Sequence, residues 1–365
     1  MVTRRQVLTG MGAAAVVTWR GPAVLRAQDA VKVGFVYVGP IGDMGWTYAH
    51  DQGRLELETN IPAVESTYVE SVPETAADAE RVIRQLAQDG NRVIFTTSFG
   101  YMDPTIAVAE DFPETVFIHI SGYKTADNVG TCFGKIEEPR YVSGLIAGKV
   151  AASGKLGYVA AFPIPEVIRG INAFTLGVHK SNPAATVKVV WTNTWFNPQE
   201  ERLAAEALLA NDGADVIAQH QDTAGPSQAA EAAGKFAVGY NSDQAAAAPG
   251  AILTCPVWKW GGFYTRTVQE VIDGTWTSSQ YWGGWQDGIV DLSPMTDLVP
   301  ADVKTLAEAE IETFKSGEQT ISTIFTGPLK DQTGAEKVAT GTVMTDEELL
   351  GMTWFVEGVD GEIPD

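Results

Sequence analysis

The regular alternation of short apolar segments with helix-like segments is the feature that most constrains this fold. Residues 31–38 (VKVGFVYV) are apolar and rich in β-branched and aromatic side chains, which predicts a buried strand. A loop with three evenly spaced glycines follows, and a helix is predicted from Thr47 through Leu57. Strand, glycine loop and helix form the first unit of an open α/β sheet, and such sheets bind ligands beyond the carboxyl ends of their strands.

The glycine loop has three interpretations. The spacing Gly39-x-x-Gly42-x-x-Gly45 is similar to a loose dinucleotide or phosphate loop, but Asp43 would repel a phosphate and Trp46 would block its approach. A tight turn with a capping aspartate and a core tryptophan is the second interpretation. The third is the floor of a pocket for a flat, uncharged ligand that forms hydrogen bonds.

Residues 1–27 predict an export signal that is not part of the fold. The paired arginines Arg4 and Arg5 are typical of a twin-arginine signal, and a short apolar region follows, with the small residue Ala27 where cleavage is expected. The apolar region is too short for a permanent membrane helix. A disordered basic N-terminus is the alternative. No cysteine precedes Cys132, so we expect no lipid anchor and a freely soluble protein in the periplasm.

The charge and the motif content exclude several classes of protein. The formal net charge is −21 at pH 7, and loss of the signal's arginines would make it more negative. Such a chain is not expected to bind nucleic acid or an anionic membrane surface by itself. The two cysteines, Cys132 and Cys255, do not make a disulfide-framed scaffold, although export would permit one bond. No metal or nucleophile motif is present, so we expect no enzyme activity, metal or cofactor.

Two successive runs of strand and helix predict an α/β protein with two doubly wound parallel-sheet lobes joined by a hinge. The segments after Tyr240 are too few for a third core, so we expect the chain to return to the first lobe and cross again. Such multiple crossings are typical of hinged periplasmic binding proteins of the ribose-binding type. The predicted lobes are residues 28–122 with 257–280, and residues 123–256 with 281–365.

Residues suited to a binding pocket follow the predicted strands, at the ligand-bearing edges of both sheets. Aromatic side chains in loops are costly to expose, so we expect the other lobe or the ligand to cover them. Packing beneath a loop is the alternative for any single aromatic residue. The candidates are Asp43, Trp46, Ser98, Phe99, Tyr101, Ser121, Trp195, Phe196, Asn241 and Asp243, and the same positions include Tyr123, Asn193, His220 and Asp222.

Several segments resemble the basic membrane protein family of ABC-transporter substrate-binding proteins, which includes purine nucleoside receptors. The resemblance covers about residues 31–299, in the same order, and rests on VKVGFVYVGPIGDMGW, NVGTCFGKIEEPRYVSGLIAG, GVHKSNP, TWFNP, VGYNSDQ and LTCPVWKWGGFY. It implies a type I periplasmic binding fold whose lobes close on a small organic ligand. It also implies an ABC permease in the membrane as partner, and we expect a monomer.

The resemblance implies roles for individual residues. Asp43 matches an aspartate that hydrogen-bonds the purine, and Trp46 is the nearest match to a ring that stacks on the base. A second stacking ring corresponds to Trp195 or Phe196. Ser121 stands where the family usually has an aspartate after the fourth strand.

Two departures from the family pattern concern the ribose. Asn241 stands where nucleoside receptors have a ribose-binding aspartate, and Trp258 or Lys259 stands where they have a lysine. The lost charges and the bulk of Trp258 favour a purine base, adenine first, over a nucleoside. The alternatives are another flat or sugar-like solute, an exported enzyme of the nucleoside hydrolase kind, and a ligand-sensing partner of a membrane receptor.

Overall fold

The strands of the computed structural model, which describes residues 30–42 and 44–364, alternate with helices as the sequence predicts. The predicted export signal and Asp43 lie outside the described residues. The strands are β1 (Val31–Val36), β2 (Val64–Val69), β3 (Val93–Thr96), β4 (Val116–Ile120), β5 (Val129–Gly134), β6 (Lys155–Ala160), β7 (Thr186–Trp191), β8 (Val216–His220), β9 (Phe236–Val238), β10 (Ile252–Thr254), β11 (Pro256–Trp258), β12 (Gln280–Gly283), β13 (Val290–Leu292), β14 (Leu329–Lys330), β15 (Glu336–Val338) and β16 (Val359–Asp360).

The helices lie between these strands and cover the faces of the sheets. They are α1 (Trp46–Asn60), α2 (Ala76–Gln88), α3 (Met102–Ala109), α4 (Glu137–Val150), α5 (Pro165–Ser181), α6 (Pro198–Ala210), α7 (Gly225–Ala232), α8 (Trp260–Asp273), α9 (Ala301–Ser316), α10 (Ile321–Ile324) and α11 (Asp346–Leu350). The predicted cap of α6 is confirmed, since the Asn197 side chain accepts a hydrogen bond from the Glu200 N–H.

Each lobe is built on a six-stranded sheet, and the prediction of two doubly wound parallel-sheet lobes is confirmed. The first sheet has the order β12-β5-β4-β3-β1-β2 and the second the order β10-β9-β8-β6-β7-β16, with parallel pairing throughout. Both faces are buried, as parallel sheets require: Phe35 and Val36 of β1 belong to separate core clusters. This arrangement turns the carboxyl ends of both sets of strands toward the space between the lobes.

The predicted division of the chain is wrong by one strand. β5 pairs with β4 in the first sheet, so the first crossing comes after Gly134 and not after residue 122. The edge strand β12 extends the returning segment of the first lobe to Gly283, beyond the predicted 280. Between the lobes, β11 pairs antiparallel with β13 and forms a short hinge ribbon. The pairing of β5 depends on a distant part of the chain, which local sequence patterns do not reveal.

Left-handed backbone marks the edges where the strands end. Met44, Ser121, Asn193 and Asn241 have φ values of 61°, 70°, 55° and 68°, which side chains other than glycine rarely adopt. Ser121, Asn193 and Asn241 lie within three residues of the end of a strand, and Met44 lies in the loop between β1 and α1. Such strain persists where surrounding structure fixes it, and it concentrates at binding sites.

Candidate functional site

A small cavity lies between the lobes at the carboxyl edges of both sheets. The space between its lining atoms, including the part open to solvent, is about 390 Å³, and the same measure is about 1800 and 1150 Å³ for two neighbouring clefts. The first lobe contributes Val38, Trp46, Ser98, Phe99 and Ser121, and the second contributes Glu166, Trp195, His220, Asp222, Tyr240 and Asn241. Both lobes thus place aromatic rings on the cavity wall, which suits a small planar ligand.

The structure brings together part of the predicted set. Six of the sequence candidates line the cavity: Trp46, Ser98, Phe99, Ser121, Trp195 and Asn241. Tyr101 does not, because its ring is buried in the first lobe and its hydroxyl donates to the Val72 carbonyl at 2.5 Å. Phe196 is 39% exposed and does not line the cavity.

The remaining candidates lie at or beyond the hinge. Asp243 is exposed in the outer hinge cleft, together with Lys259. Trp258 is buried behind the cavity wall, with its ring edge-on to Trp46 at 5.5 Å. Asp43, the predicted partner of the base, lies outside the described residues, so its role stays a prediction.

Trp46 is held in one orientation by contacts within the first lobe. Its indole N–H donates to the Thr97 carbonyl at 2.5 Å, and its ring stands edge-on to His50 at 4.3 Å. Across the cavity, the Trp195 ring packs edge-on against Phe162 at 5.0 Å. Both rings therefore keep their positions without a ligand, which lowers the entropy cost of stacking against one.

The two serines of the first lobe face the cavity as acceptors. The Ser98 hydroxyl donates to the Glu74 carboxylate, which also accepts the Gly100 N–H at 2.9 Å. The Ser121 hydroxyl donates to the Ile120 carbonyl at 2.5 Å. A hydroxyl has one hydrogen, so both serine oxygens are left with lone pairs for a ligand donor.

The second lobe places ionisable groups at the cavity. Glu166 Oε1 lies 3.4 Å from His220 Nε2. Burial raises the pKa of Glu166 to about 7, against the opposing effect of Arg169 and Arg140. Burial, with the same two guanidinium groups, holds the pKa of His220 well below its usual value, so this imidazole is neutral.

A buried guanidinium lies beneath these groups. Arg140 sits 3.9 Å from the centre of the Tyr240 ring and donates to the Tyr158 hydroxyl at 2.5 Å and the Gln219 carbonyl at 3.1 Å. Its charge, together with that of Arg169, favours the ionised form of the buried Glu166.

The hinge end of the cavity is filled by protein. The Asn241 side-chain oxygen accepts the Trp258 indole N–H at 2.9 Å, and its amide group donates to Asp222 Oδ1 at 3.0 Å. Trp258 in turn stacks on Trp260 with ring centres 4.7 Å apart. The Asn241 amide oxygen and amide nitrogen are therefore both hydrogen-bonded to protein, and the Trp258 indole occupies the space behind Asn241.

The lobes touch at the rim of the cavity. The Ser242 hydroxyl donates to the Met44 carbonyl across the gap. A methyl group on Gly45 would overlap the backbone of Asp222, so only glycine allows this approach. The described structure is thus a closed form of the two lobes.

Sequence reasoning missed Glu166 and Tyr240, and it noted His220 and Asp222 only by position. Glu166 lies in the first turn of α5, directly after the carboxyl end of β6. An acidic residue at the start of a helix that follows a strand was the available signal. None of the helices in residues 30–42 and 44–364 has the length and apolarity that a membrane crossing requires.

Comparisons with known proteins agree with this architecture. The profile of the family described as Bmp, ABC transporter substrate-binding protein PnrA-like, matches residues 30–324. A purine-binding protein of Brucella abortus is 47% identical over 93% of this chain and 95% of its own length. A Haloferax volcanii protein, named as a candidate ABC transporter glucose-binding protein, is 41% identical over 92% of this chain and 82% of its own.

A solved structure supports the fold. An ABC transporter solute-binding protein of Aeropyrum pernix superposes with a TM-score of 0.68 at 20% identity, covering 87% of this chain and 97% of that one. The two lobes, the hinge ribbon and this likeness make the fold that of a type I periplasmic binding protein. The predicted family is confirmed: the chain belongs to the Bmp family of PnrA-like substrate-binding proteins of ABC transporters.

Proposed function

We propose that this protein is an exported, periplasmic receptor of an ABC importer that binds a free purine base, adenine first, between its closing lobes. The observation that carries the proposal is the cavity between the lobes, where the rings of Trp46 and Trp195 line the wall together with the acceptor oxygens of Ser98, Ser121 and Glu166. Aromatic rings stack on bases with about 1–3 kcal/mol per base. Such a receptor delivers its ligand to a permease in the membrane.

The acceptors of the cavity suit the hydrogen-bond donors of adenine. The hydroxyl groups of Ser98 and Ser121 donate their hydrogens to other protein groups, so their oxygens can only accept from a ligand. Glu166 and Asp222 supply carboxylates. Adenine carries an exocyclic amine and a ring N–H, so it offers donors to several of these groups. Asp43 is proposed to accept from the base as well, as the resemblance implies.

The filled hinge end favours the base over the nucleoside. Asn241 and Trp258 are bonded to each other where nucleoside receptors of the family have ribose-binding charges. A ribose at that end would displace the indole and leave the Asn241 amide unpaired, which costs about 1–3 kcal/mol for a buried group. The purine-binding relative at 47% identity supports a purine of some kind.

The test is to identify what the protein carries from the cell. Protein produced with its export signal, purified from the cell and then denatured is expected to release adenine, detected by mass spectrometry of small molecules. Because a relative is named for glucose binding, glucose is the competing ligand. Release of a hexose, together with calorimetric binding of glucose and none of adenine, would overturn the proposal.

A further inference from the structure

A second, larger cleft adjoins the cavity. The space between its lining atoms, including the part open to solvent, is about 1150 Å³. Phe99, Ser121 and Glu166 line both spaces, so the two adjoin at these side chains. A ligand held in the cavity could therefore extend into this cleft.

The adjoining cleft is apolar. Phe133, Tyr281 and Trp282 contribute rings from strands of the first sheet, and Ile164 and Leu350 contribute aliphatic side chains from the second lobe. Among the described residues that line it, the one cation is Arg169, which is paired with Glu137 at 2.6 Å and donates to the Leu349 carbonyl at 3.1 Å. Few charges thus remain there to bind a phosphate or a sugar.

The cavity is closed at its hinge end and borders the apolar cleft at its other end. At the hinge end, the hydrogen bond between Trp258 and Asn241 closes the wall. At the other end, the wall consists of the shared residues Phe99 and Ser121, and Phe99 is exposed. A substituent on the bound ring system would therefore extend from the cavity into the apolar cleft.

The acceptor-rich lining indicates where on the purine that substituent is attached. Substitution at ring N9 removes the ring N–H that the acceptors would bind. Substitution at the exocyclic amine leaves one N–H there and the ring N–H intact. We propose that the site also binds adenines with an apolar group on the exocyclic amine, which lies in the cleft between Phe133, Trp282 and Leu350. This inference rests on the proposed function.

Calorimetric titration of adenine, N6-benzyladenine and 9-benzyladenine tests the proposal. Burying a phenyl-sized group stabilises a complex enough to tighten binding roughly ten- to a hundredfold. We expect N6-benzyladenine to bind more tightly than adenine by a factor in that range, and 9-benzyladenine to bind more weakly than adenine. N6-benzyladenine binding tenfold more weakly than adenine, or 9-benzyladenine binding more tightly than its isomer, would overturn the inference.

A matched pair of variants places the substituent in the cleft. Leu350 and Leu203 are each 49% exposed, but Leu203 lies on α6 and does not line the cleft. Leu350→Glu brings a carboxylate to the apolar wall, so we expect it to weaken N6-benzyladenine binding about tenfold and leave adenine binding unchanged. Leu203→Glu should change neither. Equal binding of N6-benzyladenine by all three proteins would contradict the assignment.

The outcomes separate the two proposals. If adenine binds and N6-benzyladenine does not, the proposed function stands and the inference is wrong. If none of the three purines binds to the folded protein, both fail together.

Discussion

The two walls of the cavity differ in chemistry. The wall from the first lobe carries Trp46, Phe99 and two serines, and it has no ionisable side chain among its described residues. The wall from the second lobe carries Glu166, Asp222 and Tyr240, and the buried Arg140 lies against the Tyr240 ring.

This difference indicates how closure contributes to binding. Stacking on Trp46 needs only contact with one lobe. The charged groups of the second lobe are screened while water fills the gap, and their interactions strengthen when closure excludes it. We therefore expect the first lobe to provide the initial contact and the second lobe to provide hydrogen bonds that depend on closure.

The largest expected effect comes from blocking closure. Gly45→Ala would place a methyl group against the Asp222 backbone, so the closed form should be lost while each lobe stays folded. Overpacking costs on the order of 3 kcal/mol, or about a hundredfold in adenine affinity. Calorimetry measures the affinity, and small-angle scattering should show that adenine no longer reduces the radius of gyration.

Gly42→Ala is the matched control, because no atom of the described residues, its chain neighbours aside, lies within 4 Å of the added methyl group. It should bind adenine and close like the unaltered protein. Closure of Gly45→Ala with full affinity would show that the lobes meet differently in solution.

The next largest effect is expected from removing the stacking ring of either lobe. Trp46→Ala and Trp195→Ala should each weaken adenine binding by about 1–3 kcal/mol, since each ring would cover one side of the base. Phe196→Ala serves as control, since this ring is 39% exposed outside the cavity, and it should change affinity by less than about 0.5 kcal/mol. An unchanged affinity of folded Trp46→Ala, measured by calorimetry, would remove that ring from the site.

The smallest effect concerns Glu166 and pH. Burial raises its pKa to about 7 in the folded protein from an ordinary 4.5. Between these values the folded state holds a proton that the unfolded state releases, so this group lowers stability as pH rises through that range. Glu166→Gln removes the titration and should be more stable than the unaltered protein by on the order of 1 kcal/mol at pH 8.

Urea unfolding of both ligand-free proteins at pH 4 and pH 8 measures this effect, and the difference should vanish at pH 4. Burial also raises the pKa of Glu138 to about 7, but this residue is present in both proteins and cancels. A constant difference across the pH range would show that Glu166 does not titrate in this interval.

The lobes and part of the site could be predicted from the sequence because both depend on local sequence patterns. Strand ends are readable from apolar runs, and residues just past them, such as Trp46 and Asn241, lie at a known edge of the sheet. The pairing of β5 with the first sheet is not local, and the lobe boundary was wrong for that reason.

The other site residues could not be predicted because the sequence does not show in which direction their side chains point. Tyr101 follows a strand, but the short 3₁₀ turn at Phe99–Tyr101 carries its ring into the core while Phe99 stays at the cavity. Glu166 reaches the cavity from the first turn of a helix, and the sequence does not reveal which lobe that turn faces. Trp258 and Lys259 are neighbours on the hinge, and only the pairing of β11 with β13 shows that Lys259 lies outside.

The central claim is that the cavity accepts a purine base and excludes its nucleoside. Titrating adenine and adenosine into the same ligand-free protein by calorimetry tests it most directly. The hydrogen bond between Asn241 and Trp258 fills the ribose end, so adenine should bind at least about a hundredfold more tightly, from the loss of two charge-assisted hydrogen bonds of about 1.5–3 kcal/mol each. Adenosine binding as tightly as adenine, or more tightly, would contradict the account.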